Sequence, residues 1–207
     1  MRLLLIRHGE TDRNAGRIAL GREDVPLNER GRAQAQALAA GLAASGPDEP
    51  IAAVYSSPLQ RALATAQPLA RALDLEVQTE DGLIEMDVGE AEGRALSELQ
   101  ERFPDFLRAW RSDQVADVPM PGGESLRQVQ ERAWGAVESL RERHDNETVA
   151  VVSHNFVILT LLCRALDLPL ARFRRLKHDL AAVSILEIAK ERQAVLSLND
   201  RCHLRES

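Results

Sequence analysis

Leu3-Leu4-Leu5-Ile6-Arg7-His8-Gly9, near the N-terminus, and Val149-Ala150-Val151-Val152-Ser153-His154-Asn155, in the second half of the chain, follow one pattern. In each stretch a run of aliphatic residues leads into polar residues that include a histidine. Short aliphatic runs without polar alternation are typical of strands buried on both faces of a parallel sheet. Ligands of open parallel sheets bind beyond the carboxyl ends of the strands. The two stretches therefore predict a parallel sheet with both histidines at its ligand-binding edge.

The rest of the chain alternates further short β-type runs with longer helical patterns, which is typical of an α/β domain with a mainly parallel sheet. Strands are predicted at 3–6, 51–55, 75–77, 148–152, 183–188 and 194–198. Helices are predicted at 28–44, 59–73 and 156–166, with one or two short helices within 95–111 and a further helix after Ser125.

Two helix starts carry specific signals. Ser57 and Pro58 are interpreted as an N-cap followed by a proline at the first helical position. Ser125 and Gln128 have the spacing of a capping box. The stretch at 80–123 is irregular and rich in glycine and proline, and we interpret it as an excursion over one edge of the sheet. We therefore expect a single domain spanning 1–207.

Composition excludes several classes of function. The chain has 207 residues and a formal net charge of −6, which lacks the broad basic surface of a nucleic-acid binder. The N-terminal apolar run is too short for a signal peptide, and no segment approaches the length of a membrane span. Cys163 and Cys202 do not have metal-ligand spacing. We expect a cytoplasmic protein with reduced thiols that binds neither nucleic acid nor membrane.

The residue types at the strand ends favour phosphoryl transfer. Arg7 and His8 follow one strand, His154 follows another, and Arg61 lies in the first turn of the helix after a third. Guanidinium groups neutralise and hold phosphate oxygens, and a neutral imidazole can attack phosphorus in line. Each residue taken alone is more often a core histidine or a surface arginine. Their convergence on one strand-end pocket predicts a site for a phosphate monoester.

A carboxyl group must protonate the departing alcohol in such a reaction. Four candidates lie in one glycine-containing stretch: Glu85, Asp87, Glu90 and Glu92. Composition does not choose among them, and a solvated acidic loop is the alternative interpretation.

Several motifs in chain order resemble those of the histidine phosphatase superfamily, phosphoglycerate mutase-like branch, and in particular its broad-specificity phosphatases. The motifs are Leu5-Ile6-Arg7-His8-Gly9-Glu10-Thr11 with Asn14, Gly21 with Asp24-Val25-Pro26-Leu27 and Gly31, Ser56-Ser57-Pro58-Leu59-Gln60-Arg61-Ala62, the residues from Glu85 to Gly93, Pro121-Gly122-Gly123-Glu124, Val151-Val152-Ser153-His154, and Asn199-Asp200 with His203-Leu204. The resemblance extends over essentially the whole chain. It implies a three-layer α/β/α sandwich and a phosphomonoester hydrolase that needs neither metal nor cofactor.

The resemblance also implies residue roles. His8 would be the nucleophile that becomes phosphorylated, and Glu85 the proton donor that later activates water. The remaining phosphate-pocket residues would be Arg7, Arg61, His154 and Asn14. Thr11, Leu20 and Gly21 fall where relatives touch the substrate, which we expect to be a small phosphorylated metabolite.

Two departures and two rival functions qualify the resemblance. Ala91 stands where many relatives have tryptophan, and Asn155-Phe156 follow His154 where glycine is common.

A cofactor-dependent phosphoglycerate mutase would use the same pocket, but the stretch at 95–114 is short and its charges are balanced, which favours a hydrolase. A non-catalytic binder of phosphorylated ligands is the second rival, although every catalytic role has a candidate here. The aliphatic C-terminal strands could also form the edge of a homodimer.

Overall fold

The fold is organised around a six-stranded sheet with the strand order β3-β2-β4-β1-β5-β6. A computed structural model describes residues 1–44, 50–190 and 192–204. The strands are β1 (Arg2–Arg7), β2 (Ile51–Ser56), β3 (Val77–Thr79), β4 (Thr148–Ser153), β5 (Val183–Ile188) and β6 (Gln193–Asp200). The first four strands in the sheet order run parallel to one another, whereas β5 and β6 complete one edge by antiparallel pairing.

Helices cover both faces of the sheet. They are α1 (Asp12–Ala15), α2 (Glu29–Ala44), α3 (Gln60–Ala72), α4 (Leu96–Arg102), α5 (Pro104–Trp110), α6 (Leu126–Arg143) and α7 (Asn155–Ala165). Alternate residues of β1 point into different cores, since Leu4 and Ile6 pack with α2 and α3 while Leu3 and Leu5 pack with α6 and α7. These four aliphatic side chains of β1 are fully buried, which explains the uninterrupted aliphatic run. The predicted three-layer α/β/α sandwich is confirmed.

Most predicted elements are found with small shifts. The capping box of Ser125 and Gln128 begins α6. The stretch at 95–111 forms two helices, which are separated at Phe103 by the proline that begins α5. The third strand was predicted two residues too early, because the N–H of Leu75 donates to the carbonyl of Ala70 and still belongs to the end of α3.

The predicted start of α3 is wrong. The helix begins at Gln60, and its N-cap position is Leu59 rather than Ser57. The Ser57 hydroxyl does accept a 3.3 Å hydrogen bond from the N–H of Leu59, but it also lies 2.7 Å from Nε2 of His154. Ser57 is therefore part of the polar cluster at the strand ends, and Pro58 precedes the helix instead of opening it.

The stretch at 80–123 does more than cover an edge of the sheet. Its buried apolar side chains, among them Leu83, Met86 and Trp110, belong to the same core as α6 and α7. It is tied to the end of β4 because the hydroxyl of Ser153 donates to the carbonyl of Leu83 across 2.8 Å. This stretch therefore forms one wall of the region beyond the parallel strands. Within the described residues, no helix is both long and apolar enough to cross a membrane.

Candidate active site

The register of two neighbouring strands places the two predicted histidines side by side. Arg7 of β1 pairs with Ser153 of β4, so His8 and His154 each lie one residue beyond that pair. The backbone N–H of His8 donates to the carbonyl of Ser153 across 3.0 Å and continues the alignment. The centroids of the two imidazole rings are 5.1 Å apart. Both rings therefore lie within reach of one phosphate-sized group.

Hydrogen bonding fixes which nitrogen of His8 carries the proton. Nδ1 lies 2.7 Å from the carbonyl oxygen of Gly9, and a carbonyl can only accept. In the neutral ring Nδ1 is therefore the donor and Nε2 keeps a free lone pair. Burial lowers the pKa of His8 well below its usual value, and the charges of Arg7 and Arg61 lower it further. His8 is accordingly a neutral imidazole with a nucleophilic nitrogen at physiological pH.

A glycine is required directly after His8. A Cβ atom at Gly9 would lie 2.5 Å from the carbonyl oxygen of Gly31, at the start of α2. The N–H of Gly9 donates to the hydroxyl of Thr65 across 3.0 Å, and that hydroxyl donates in turn to the carbonyl of Arg61. This close packing holds the loop that carries His8 against α2 and α3.

His154 is fully buried at the N-terminus of α7. Its Nε2 lies 2.7 Å from the Ser57 hydroxyl, whereas its Nδ1 is a buried atom with no partner among the described residues. Burial lowers the pKa of His154 well below its usual value, with further lowering by His8, Arg61 and Arg7. The second imidazole is therefore also neutral, and one of its nitrogens is free to contact a ligand.

Arg61 is the largest fully buried side chain and is held by backbone carbonyls rather than by carboxylates. Its guanidinium donates to the carbonyl of Gly21 across 2.6 Å and to the carbonyl of Glu23 across 2.8 Å. In the described part of the chain it forms no ion pair, and its Nε has no hydrogen-bond partner. Burial lowers the pKa of Arg61, and nearby carboxylates, Glu85 first among them, oppose that shift. A buried cation held only by dipoles is well suited to an anionic ligand.

Arg7 is held in a similar way at the end of β1. Its guanidinium donates to the carbonyl of His178 across 2.6 Å, and its Nε is another buried nitrogen without a described partner. Burial lowers the pKa of Arg7, and the carboxyl groups of Glu85 and Asp179 oppose this effect. Both predicted phosphate-binding arginines therefore lie close to the two histidines, whose pKa values they both lower.

The structure distinguishes Glu85 from the other three carboxylates. Glu85 is buried, and its carboxyl oxygens accept from the N–H groups of Met86 at 2.8 Å and Phe156 at 3.3 Å. Burial raises the pKa of Glu85, although the hydrogen bond from Met86 and the charge of Arg61 oppose the rise. A carboxyl group that stays protonated to higher pH than usual is suited to general acid catalysis.

The other three carboxylates have structural partners. Asp87 accepts from the N–H of Gly89, and Glu90 lies 3.2 Å from Arg102 in an exposed ion pair. Glu92 accepts hydrogen bonds from three successive backbone N–H groups at 21–23, the longest of them 3.1 Å. Glu92 therefore fixes the loop whose carbonyls hold Arg61.

The predicted substrate-binding residues divide into two groups. Thr11 is buried as the N-cap of α1, and its hydroxyl and N–H both donate to the Oδ1 of Asn14, so these two side chains are mainly bound to each other. Gly21 positions Arg61 through its carbonyl, and a Cβ there would lie 2.7 Å from the carbonyl oxygen of Met86. Leu20 instead lines an apolar cavity beside the site.

Sequence reasoning missed several groups that hold the site together. These groups are the Ser57 hydroxyl, the Thr65 hydroxyl, the carbonyls of Glu23 and His178, and the carboxylate of Glu92. Ser57 had a signal in the sequence, the Ser-Pro pair, but that signal was assigned to a helix start. Glu92 was a candidate for the acid, and its role in holding the loop at 21–23 was not predicted. Across the ranges that the structure describes, no group of three or more His, Cys, Asp or Glu side chains is arranged to hold a metal ion.

A parallel sheet that ends in two neutral imidazoles, two buried guanidinium groups and a buried carboxyl group defines an enzyme of the phosphatase class. Residues 3–201 match the histidine phosphatase superfamily (branch 1), and the chain belongs to this family. The resemblance to this superfamily is thereby confirmed.

Individual relatives and a solved structure are similar to most of this chain. Phosphoserine phosphatase 1 of Hydrogenobacter thermophilus is 38% identical over 206 residues, which cover 100% of this chain and 95% of that protein. A Mycobacterium tuberculosis relative named as a bifunctional protein is 44% identical over 186 residues, and the match covers 90% of this chain but only 50% of that longer protein. The solved structure of Bacillus stearothermophilus YhfR superposes with a TM-score of 0.90 at 32% identity and covers 99% of each chain.

Proposed function

We propose that the protein hydrolyses small phosphate monoesters without a metal ion, through a phosphohistidine on His8. The observation that carries the proposal is the contact of His8 Nδ1 with the Gly9 carbonyl at 2.7 Å, because it leaves Nε2 as a nucleophile beside His154. The two arginines supply the positive charge that a dianionic substrate needs. Division of the chain into one domain, 1–207, stays a prediction.

In the first step, Nε2 of His8 attacks phosphorus while the bond from phosphorus to the ester oxygen breaks. Glu85 gives its proton to the departing alkoxide, so the alcohol leaves neutral and Glu85 becomes a carboxylate. The Nδ1 proton stays on the phosphorylated ring, and Nδ1–H keeps its hydrogen bond to the Gly9 carbonyl. Arg7 and Arg61 hold the equatorial oxygens, which carry most of the charge in a loose transition state.

His154 stabilises the same oxygens. The hydroxyl of Ser57 accepts from the N–H of Leu59 and lies 2.7 Å from Nε2 of His154. In the proposed reaction Ser57 donates to Nε2, and this assignment puts the proton of the neutral ring on Nδ1. This nitrogen is the buried one that has no partner among the described residues. His154 therefore acts as a hydrogen-bond donor to the phosphoryl group.

In the second step, the Glu85 carboxylate takes a proton from water as the water oxygen attacks phosphorus. The bond from phosphorus to Nε2 breaks, orthophosphate leaves, and both His8 and Glu85 return to their starting protonation states. A buried carboxyl group with a raised pKa can serve in both directions.

Trapping of the intermediate tests the nucleophile. Enzyme quenched during turnover of 32P-labelled substrate should carry acid-labile, base-stable label that is absent in His8→Ala. His144→Ala is the matched control, because that histidine contacts Tyr55 and Glu147 on a different part of the molecule and should leave the label in place. Label in His8→Ala at the wild-type level would contradict the assignment.

The two rival functions are separated by substrate. A mutase should convert 3-phosphoglycerate after priming with bisphosphoglycerate and hydrolyse p-nitrophenyl phosphate slowly, whereas a hydrolase should release orthophosphate from both compounds. A non-catalytic binder would bind phosphate and turn over neither compound.

The remaining partner and location predictions are part of this proposal. The substrate is a small phosphorylated metabolite, and the protein acts in the cytoplasm. The homodimer stays a prediction that rests on the edge strand β6, on which Leu196 and Leu198 are 49% and 45% exposed. Light scattering at several protein concentrations tests it.

A further inference from the structure

An apolar cavity lies beside the acid of the candidate active site. Its volume is about 360 Å³, which falls in the range of small-molecule sites. The lining residues that matter here are Leu20, Ala91, Phe106, Trp110, Phe156 and Arg174. No aspartate or glutamate is among the residues described as lining it.

Two lining residues connect the cavity with the acid and with Arg61. Phe156 lines it, and the backbone N–H of the same residue donates to Glu85 at 3.3 Å. Leu20 lines it as well and directly precedes Gly21, whose carbonyl holds Arg61. Because Glu85 gives its proton to the departing oxygen in the proposed reaction, the alcohol part lies close to Phe156, which contacts Glu85 and lines this cavity.

Aromatic side chains are concentrated at this place. Three of the chain's seven aromatic residues line the cavity and form one connected group with a fourth, Phe173, although aromatic residues make up only 3% of the sequence. Ring centroids are 5.5 Å apart for Phe106 and Trp110, 6.3 Å for Trp110 and Phe156, and 6.2 Å for Phe156 and Phe173. Such walls favour a flat ring over a polar aliphatic group.

Two of the residues that line the cavity are arginines without an ion-pair partner among the described residues. The Arg174 guanidinium is 4.4 Å from the centroid of Phe173 and donates to the carbonyl of Trp110 across 2.9 Å. Neither Arg174 nor Arg111, which also lines the cavity, forms an ion pair within the described ranges. The neighbouring Arg172, by contrast, is paired with Asp113 at 3.2 Å. Two cations without counter-ions favour an anionic group on the ligand.

We propose that this cavity binds the alcohol part of the substrate, that this part contains an aromatic ring, and that Arg174 binds a second anionic group on it. The inference rests on the proposed phosphatase function and specifies its substrate class. It also predicts that phosphoserine is not a preferred substrate, because the serine ammonium group would find no carboxylate among the residues that line the cavity.

Substrates with matched leaving groups test the ring. Both 2-phenylethyl phosphate and O-phospho-L-serine release a primary alcohol, and the serine hydroxyl is the better leaving group. We expect kcat/KM for 2-phenylethyl phosphate to exceed that for phosphoserine by about tenfold or more, in line with burial of a ring. Equal values, or a preference for phosphoserine, would overturn the assignment of the cavity.

A para-carboxylate on the same ring tests Arg174. This distant substituent leaves the reactivity of the primary alcohol unchanged, so the ratio of kcat/KM for the carboxylated and plain compounds reports binding of the second anion. We expect the ratio to be about ten in the wild type and close to one in Arg174→Gln. Arg175→Gln is the control, because Arg175 is exposed on the same helical turn and does not line the cavity. A ratio that Arg174→Gln leaves unchanged would contradict the role of this arginine.

Failure of this inference is distinguishable from failure of the proposed function. Release of orthophosphate from p-nitrophenyl phosphate by the wild type, with loss in His8→Ala, supports the phosphatase proposal whichever alcohol is preferred. If this activity is present and the substrate ratios are reversed, only the assignment of the cavity is wrong.

Discussion

The backbone N–H of Phe156 donates to a carboxyl oxygen of Glu85 across 3.3 Å, and this bond joins two parts of the site that are far apart in sequence. Phe156 is the second residue of α7 and lies two positions after the N-cap His154. The same helix start therefore positions the second imidazole and contacts the acid. This arrangement explains how a loop carboxyl group reaches the pocket at the strand ends.

Glu85→Gln should remove the proton donor and leave the shape of the site intact. We expect kcat/KM for alkyl phosphates to fall by about 100-fold or more, and that for p-nitrophenyl phosphate to fall less, because p-nitrophenolate leaves without protonation. Glu90→Gln is the control, since Glu90 forms only an exposed ion pair. Equal losses on both substrates would mean that another group is the acid.

Arg61→Lys keeps the positive charge but removes the planar group that reaches two carbonyls. Since the guanidinium is held at 2.6 Å by Gly21 and at 2.8 Å by Glu23, an ammonium group cannot keep the same position. We expect kcat/KM to fall by about 100-fold or more. Arg71→Lys, an exposed change on the same helix, should have no effect. A loss of less than fivefold in Arg61→Lys would argue against a direct contact with the phosphoryl group.

Ser57→Ala tests whether Ser57 positions His154. Without the hydroxyl at 2.7 Å, Nε2 loses its partner and the ring can bind its proton at either nitrogen. We expect kcat to fall by about fivefold, which corresponds to one neutral hydrogen bond, with little change in KM. Ser57→Thr retains the hydroxyl and should recover most of the loss. Equal damage in both variants would indicate a packing role only.

The sequence predicted the sheet and the residues at its edge because both depend on local signals. The aliphatic runs before His8 and His154 specify strands buried on both faces, and parallel strands bring their ends together. The choice of Glu85 over Glu92 needed the resemblance, since both are acidic residues in one loop. Their burial and partners depend on contacts with Phe156 and Gly21, which are remote in sequence.

The missed residues share a physical cause. Ser57 was interpreted as a helix cap because Ser-Pro favours that position, but its hydroxyl faces His154 across 97 positions of sequence. The carbonyls of Glu23 and His178 act through backbone atoms, so their side chains carry no signal. The apolar cavity likewise depends on how α4, α5 and the start of α7 come together, and not on any one motif.

The pH dependence of kcat/KM should have two limbs with opposite causes. His8 must be neutral to attack, and burial with the two arginines lowers its pKa, so the acid limb lies well below the usual value of 6.5. Glu85 must be protonated, and burial raises its pKa, so the alkaline limb lies above the usual value of 4.5. Glu85→Gln should abolish the alkaline limb and keep the acid one. An alkaline limb that persists in this variant would assign it to another group.

The stability of the fold should decrease as the pH falls through the range in which free histidine titrates. Burial is the main cause that lowers the pKa of His178 to about 4 from the usual 6.5, and both of its ring nitrogens are buried without described partners. In the unfolded state, His178 therefore binds a proton near pH 6.5, whereas in the folded state it binds one only near pH 4. Since the folded pKa is the lower one, the stabilisation is complete above pH 6.5 and is lost on acidification.

Between pH 7.5 and 5.5, His178 alone should account for a loss of about 1.4 kcal/mol in the free energy of unfolding. Urea denaturation at the two pH values measures this loss, and His178→Leu should reduce it by that amount because leucine does not titrate. Phe173→Leu is the control, since it changes a buried ring that carries no proton and should leave the pH-dependent loss unchanged. If His178→Leu shows the full wild-type loss, His178 is not a source of the pH dependence, and the other histidines whose pKa values burial lowers, His8, His154 and His203, would account for it.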